Sequence, residues 1–322
     1  MVTFRYHIVS IVAFFLALGI GVIVGSTVID RVLVDTLEDQ QRRIEDDISE
    51  VRRENDDLNR QISELGATSE QLATEGSQRL LDGALADVGV LVLAVRGAES
   101  AGLGDLVALL ATADASYRGT VWFTERFALD SDEASRDLAR ALTTSASVPR
   151  SALRSMAIDR VATTLRVATA PEAGPPGLEA LVGLRDAGFL DYEPPEGAPE
   201  DLGGLAGPGT RIALVSSSTA VVDDGVLAEP LARALVRAAD GAPPARLLAA
   251  EASEPPNGAP PGLVTALRDD DELARSLSTV DDVDDFAGRL AAVLAILDLG
   301  DGRVGHYGTG PGAQRLIPAP VR

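Results

Sequence analysis

Only two histidines, His7 and His306, stand among the 322 residues, with two methionines, Met1 and Met156, and no cysteine. Thiolate nucleophiles, disulfides, zinc knuckles and iron–sulfur clusters are excluded together, and the redox compartment goes unread. A Ser-His-Asp triad or a general base would have to depend on His306, and no neighbour in sequence offers itself as its partner. His306 lies in GHYGTGPGAQRLIP, where Gly305, Gly308, Gly310 and Gly312 impose a tight chain path that assigns His306 and Tyr307 to packing. Ser216, Ser217, Ser218 and Thr219 follow an expected strand without the GxSxG elbow of a hydrolase, and read as loop hydroxyls. Gly97, Gly102 and Gly104 lack dinucleotide-loop spacing, and a chain without lysine has no phosphate-loop motif. The acidic groups at 269–272 and at Asp281, Asp282, Asp284 and Asp285 lack EF-hand spacing and suit helix caps. The residues therefore nominate no catalytic, cofactor or metal site, and the expectation is a protein that is not an enzyme.

The spacings that do carry chemistry are those of association. Leu37, Ile44, Val51, Leu58, Leu65 and Leu72 recur every seven residues, and the matching positions Val34, Gln41, Ile48, Asn55, Ile62 and Ser69 alternate apolar with polar. This two-in-seven pattern predicts a coiled coil, its seam formed by Val34, Leu37, Ile44, Ile48, Val51, Asn55, Leu58, Ile62 and Leu65. A buried amide such as Asn55 is satisfied by its counterpart in a register-matched neighbour, which selects parallel dimers at a cost in stability. The polar seam positions also leave room for a heteromeric coil with another envelope protein. Over Leu33 to Leu65 such a rod would project about 50 Å. Asp30 to Asp82 carries fifteen acidic residues against seven arginines, so the rod surface is negative.

Ahead of the rod, Ile8 to Ile29 holds 22 residues without a charge, about 33 Å as a helix, which matches a bilayer core and exceeds the apolar region of a cleaved signal peptide. Ala13, Ala17, Gly21 and Gly25 fall on one ridge of that helix and let a second backbone approach closely. The arginines flanking the span do not decide orientation; the short leader and the long acidic remainder favour a cytoplasmic N-terminus and an extracytoplasmic bulk. A net charge of −21 excludes nucleic acid as a partner.

Beyond residue 82 short apolar runs alternate with Ala/Leu/Arg-rich helices, which predicts an open, mostly parallel α/β domain of Rossmann or flavodoxin type. Strands are expected at 88–95, 120–123, 211–216 and 246–250. Helices are expected at 105–113, 132–142, 152–164, 178–187, 226–239 and 283–299. Residues 193–208, rich in proline and glycine, read as a surface loop. Three regions follow: a signal-anchor helix at 1–29, a coiled-coil stalk at 30–82 and an extracytoplasmic α/β domain at 83–322.

The opening MVTFRYHIVSIVAFFLALGIGVIVGS, the coil directly behind it and the closing GHYGTGPGAQRLIP together resemble the actinobacterial copper-transporter family typified by the mycobacterial copper transport protein B. The resemblance implies an actinobacterial envelope protein linked to copper homeostasis or efflux, with some members described as channel-forming in the outer membrane. Other relatives look like cell-envelope and division factors whose coil engages a membrane partner and a peptidoglycan hydrolase. Copper enters through the resemblance alone: Cu(I) selects thiolate and thioether and Cu(II) favours imidazole, and this sequence is poor in all three. A porin, too, needs many alternating strands with aromatic girdles, whereas aromatic residues make up 4% of the chain.

Overall fold

Val90, Val92 and Ala94 project from one side of strand β1 (Gly89–Val95), Leu91, Leu93 and Val95 from the other, and all six are fully buried. A strand with two apolar faces must be covered on both, and the rest of the domain supplies the covers.

The computed structural model describes residues 6–24, 41, 44, 48–61, 76, 80–98, 102–170, 177–237, 244–252 and 262–319. They fall into two units, Met1–Gln71 and Leu72–Arg322. The first contains the apolar helix α1 (Tyr6–Val24), long and apolar enough to cross a bilayer, and a helical stretch at residues 48–61.

The second unit is a mixed, mostly parallel α/β domain. In chain order it runs β1, α2 (Leu103–Thr112), β2 (Ser116–Phe123), α3 (Asp132–Ala141), α4 (Arg150–Thr169), α5 (Glu179–Asp186), β3 (Leu190–Glu193), β4 (Arg211–Ser217) and α6 (Ala228–Val236). It continues through β5 (Leu247–Ala252), α7 (Leu263–Asp269), α8 (Asp271–Ala274), β6 (Ser278–Val280), α9 (Phe286–Gly300) and β7 (His306–Tyr307). The seven strands lie in the order β3-β2-β1-β4-β5-β6-β7. All pairs are parallel except β2 with β3. With the antiparallel edge strand set aside, the first five parallel strands follow the 2-1-3-4-5 order of flavodoxin-like sheets. Helices α2 and α9 cover the face of Val90 and Val92, while α3 to α7 cover that of Leu91 and Leu93. On the second face Phe123, Phe127 and Phe189 stack edge to face at 5.4 and 5.6 Å between centroids.

Helix starts follow local chemistry. Ser131 Oγ accepts Ala134 N–H at 3.0 Å ahead of α3, Asp270 accepts Glu272 and Leu273 N–H ahead of α8, and Asp285 accepts Gly288 N–H at 2.7 Å ahead of α9. Each acidic run thus supplies one cap, Asp270 and Asp285.

Four sequence expectations are corrected. The second strand begins at Ser116, four residues early, and α4 extends over 20 residues. The strand at Arg211 is the fourth, because Leu190–Glu193 forms β3, where Trp122 Nε1 donates to Glu193 at 2.9 Å and Tyr192 Oη to Arg118 O at 2.8 Å. The 193–208 segment is not simply a surface loop: Leu202, Leu205 and Ala206 are buried, and Asp201 caps a 3-10 turn at Leu202–Gly204. Strands β6 and β7, three and two residues long, had no periodicity from which to be read.

Candidate functional site

The association residues come first. On α1, Ala13, Ala17 and Gly21 are exposed, and open space surrounds the position of a Gly21 side chain. Gly25 lies outside the described residues. Of the seam, Ile44, Ile48, Val51, Asn55 and Leu58 are described and helical; Val34, Leu37, Ile62 and Leu65 lie outside. Within the single chain Ile44 is 58% exposed, Ile48 46%, Val51 62% and Leu58 51%. Four large aliphatic side chains at heptad spacing thus face solvent, at a cost of about 1.5–3 kcal/mol each relative to burial. Asn55 sits among them, its Oδ1 accepting Asn59 Nδ2 at 3.1 Å one turn on.

The second place to look is the carboxyl end of the sheet, where open α/β folds take ligands beside the strand at which the order reverses. That strand pair is β1 and β4, and the loops after them bond to each other. Thr219 Oγ1 donates to Gly97 O at 2.6 Å and Val221 N to Arg96 O at 2.8 Å. Gly97 has φ +97°, and a Cβ there would stand 2.2 Å from Thr219 O, so the contact requires glycine. Of the hydroxyls that the sequence places after the strand, Ser216 Oγ bonds Asp224 and Ser217 pairs with Thr219 at 2.9 Å, while Ser218 is exposed.

One strand further along, sequence reasoning missed a buried carboxyl group set. Glu251, next to last in β5, is 5% exposed and accepts Val264 N–H at 3.0 Å, while the partly buried Asp224 accepts Leu263 N–H at 3.1 Å. Asp281, after β6, accepts Arg268 Nη1 at 2.7 Å and the amides of Thr309 and Gly310 at 2.7 and 3.1 Å. The Arg268 guanidinium also donates to Thr279 Oγ1, Tyr307 O and Pro311 O. These residues are scattered from 224 to 310 in sequence, and no local pattern joins them.

Burial pushes the Glu251 carboxyl up to about 7; the charges of Asp224 and Asp281 add to the rise, while the Val264 amide and Arg268 oppose it. Burial likewise raises Asp224. His306 Nδ1 lies 2.9 Å from Thr279 Oγ1, and burial, then the Arg268 charge, lowers its pKa. The Glu251 shift has a sign that can be tested. Unfolded, the group titrates near 4.5, and folded near 7. Between those values the fold keeps a proton that the unfolded chain gives up, so stability falls as pH rises through the window, by about 3 kcal/mol in all. The urea midpoint is expected to drop between pH 5 and pH 7.5, and Glu251→Gln to flatten that drop; equal slopes in both proteins would contradict it.

Met156 on α4 is 38% exposed, His306 is buried in β7 and His7 is exposed on α1. Among the described residues no group of three or more His, Cys, Asp and Glu could hold a metal ion.

Comparison with known proteins fixes the family. A family model described as "Copper transport outer membrane protein, MctB" matches residues 1–318. The chain belongs to this family. "Copper transporter MctB" of Mycobacterium tuberculosis (strain ATCC 25618 / H37Rv) is 28% identical over 329 residues, covering 98% of this chain and 99% of its own. "Copper transporter MctB" of Mycobacterium leprae (strain TN) is 29% identical over 335 residues with the same coverage. The MctB match runs through the apolar helix, the heptad segment, the α/β domain and the Gly-rich tail, so the resemblance carried by the two ends extends over the whole chain.

Proposed function

We propose that this MctB-family chain is a non-enzymatic scaffold. In this reading α1 anchors it in the cell membrane as a single pass with the N-terminus cytoplasmic. Residues 30–82 pair as a parallel homodimeric coil, and residues 83–322 present the α/β domain outside the cytoplasm. The observation that carries the reading is the exposed heptad stripe of Ile44, Ile48, Val51 and Leu58 around Asn55. A stripe this regular is stable in water only when covered, and an amide at its centre fits a copy of itself.

Copper is the cargo in the names of the relatives. For this chain we propose that any effect on copper runs through the envelope or a partner, because its residues supply no thiolate, few thioethers and widely separated imidazoles. Titration calorimetry of the whole protein with Cu(I) and Cu(II) is expected to show no binding at micromolar affinity; stoichiometric binding at that level would overturn the indirect reading. The polar seam positions Gln41, Asn55 and Ser69 favour a second reading, a cell-envelope or division factor whose coil is heteromeric with another envelope protein and engages a membrane partner and a peptidoglycan hydrolase.

A further inference from the structure

Helix α7 is fastened at its start by two carboxyl groups from different parts of the chain. Leu263 N–H donates to Asp224 and Val264 N–H to Glu251, and the chain presses so closely on Glu251 that a Cβ at Gly262 would fall 1.7 Å from its Oε1. Asp224 is itself fixed by the Ser216 hydroxyl at the end of β4, and Glu251 by the Val283 N–H bond to its carbonyl at 3.1 Å. The junction thus ties α7 to β4, β5 and the segment after β6.

Its charge balance is uneven. The charged groups facing Glu251 are Asp224 from the stretch before α6, Asp281 just after β6 and Arg268 from α7 itself. Arg268 is bonded to Asp281, with side-chain exposures of 3% and 7%. Among the described residues no cation pairs with Glu251. A buried carboxylate with one amide donor and no counter-ion is far less well solvated than in water, so the neutral acid suits the closed junction. The ionised form sets three acidic groups against one guanidinium, and that repulsion is relieved when α7 draws back and water enters.

We infer that Glu251 and Asp224 form a proton-operated latch, holding the first turn of α7 on the carboxyl ends of β4 and β5 while Glu251 is neutral and slackening as it ionises. Acid tightens the latch and neutral pH loosens it. The slackened junction bares part of the sheet edge at which open α/β folds receive ligands, while β1 and β4 stay in place.

Hydrogen exchange on the full chain in detergent micelles, read at the Leu263 and Val264 amides and corrected for intrinsic rates, tests this. Protection is expected to fall about tenfold per pH unit between pH 5 and 7 and then level off, and to stay well below that of Leu93 and Leu214 in the central strands, whose amides are freed by global unfolding. Glu251→Gln is expected to abolish the fall. Should that variant not fold, Asp224→Asn serves instead: it removes a like charge and moves the fall to lower pH. A flat wild-type profile, an unchanged profile in the variant, or protection at Leu263 and Val264 equal to that at Leu93 and Leu214 throughout would each overturn the latch.

Discussion

Arg268→Leu is expected to destabilise the α/β domain by about 3–5 kcal/mol, the usual consequence of removing one partner from a buried ion pair. For a domain of this size that is a melting point lower by roughly 10 °C. Arg268 binds Asp281 at 2.7 Å, and its other donors reach Thr279, Tyr307 and Pro311, so one side chain joins α7 to β6, β7 and the segment after it. Leucine fills the space but leaves Asp281 with two backbone amides and no cation. Arg268→Lys retains the charge and lacks the planar fork, and an intermediate loss is expected. Thermal denaturation of the three proteins at pH 7 checks the series. A leucine variant within about 0.5 kcal/mol of wild type, the range of ordinary surface changes, would mean that the guanidinium does not hold this edge of the sheet.

The second large effect concerns assembly. Val51→Glu with Leu58→Glu places two carboxylates per chain on the seam. Val51 and Leu58 are already 62% and 51% exposed in the single chain, so the α/β domain should melt unchanged. In a paired rod the same change removes four buried aliphatic groups, on the order of 6 kcal/mol or more, which weakens association by over about 10⁴-fold. Light scattering in detergent is expected to give the mass of two 33.5 kDa chains for wild type and of one for the variant. Equal masses would count against the seam.

The parts of the fold that were legible in the sequence are those set by local pattern. The strand at Gly89–Val95 is a continuous apolar run because both its faces are covered, and helices were expected where α3 and α9 lie; their caps were not, since Asp281 and Asp282 were expected to start the last helix, whereas Asp285 caps it and Ser131 caps α3. Strand β3 was hidden because Asp191 and Glu193 interrupt its apolar pattern; they bond Arg96 and Trp122 across the sheet, which no local pattern reveals. Strands β6 and β7, at three and two residues, are too short to display an alternation, and their pairing comes from contacts between residues 278–280 and 305–307. The same holds for the carboxyl set. Asp281 looked like one more capping aspartate among its neighbours, yet it is the one that is buried against Arg268, a distinction made by tertiary contacts alone. The association residues, by contrast, were read from spacing, because a heptad is a property of the chain before it folds.

In the proposed scaffold two copies stand side by side in register along the seam. Disulfide trapping of Asn55→Cys, in a chain that has no other cysteine, tests it most directly. Oxidised in native membranes, the variant is predicted to run at twice its reduced mass, with little crosslinking from Arg53→Cys on the outer face of the helix. Recovery of Asn55→Cys solely as single chains, or equal trapping at both positions, would contradict the paired rod.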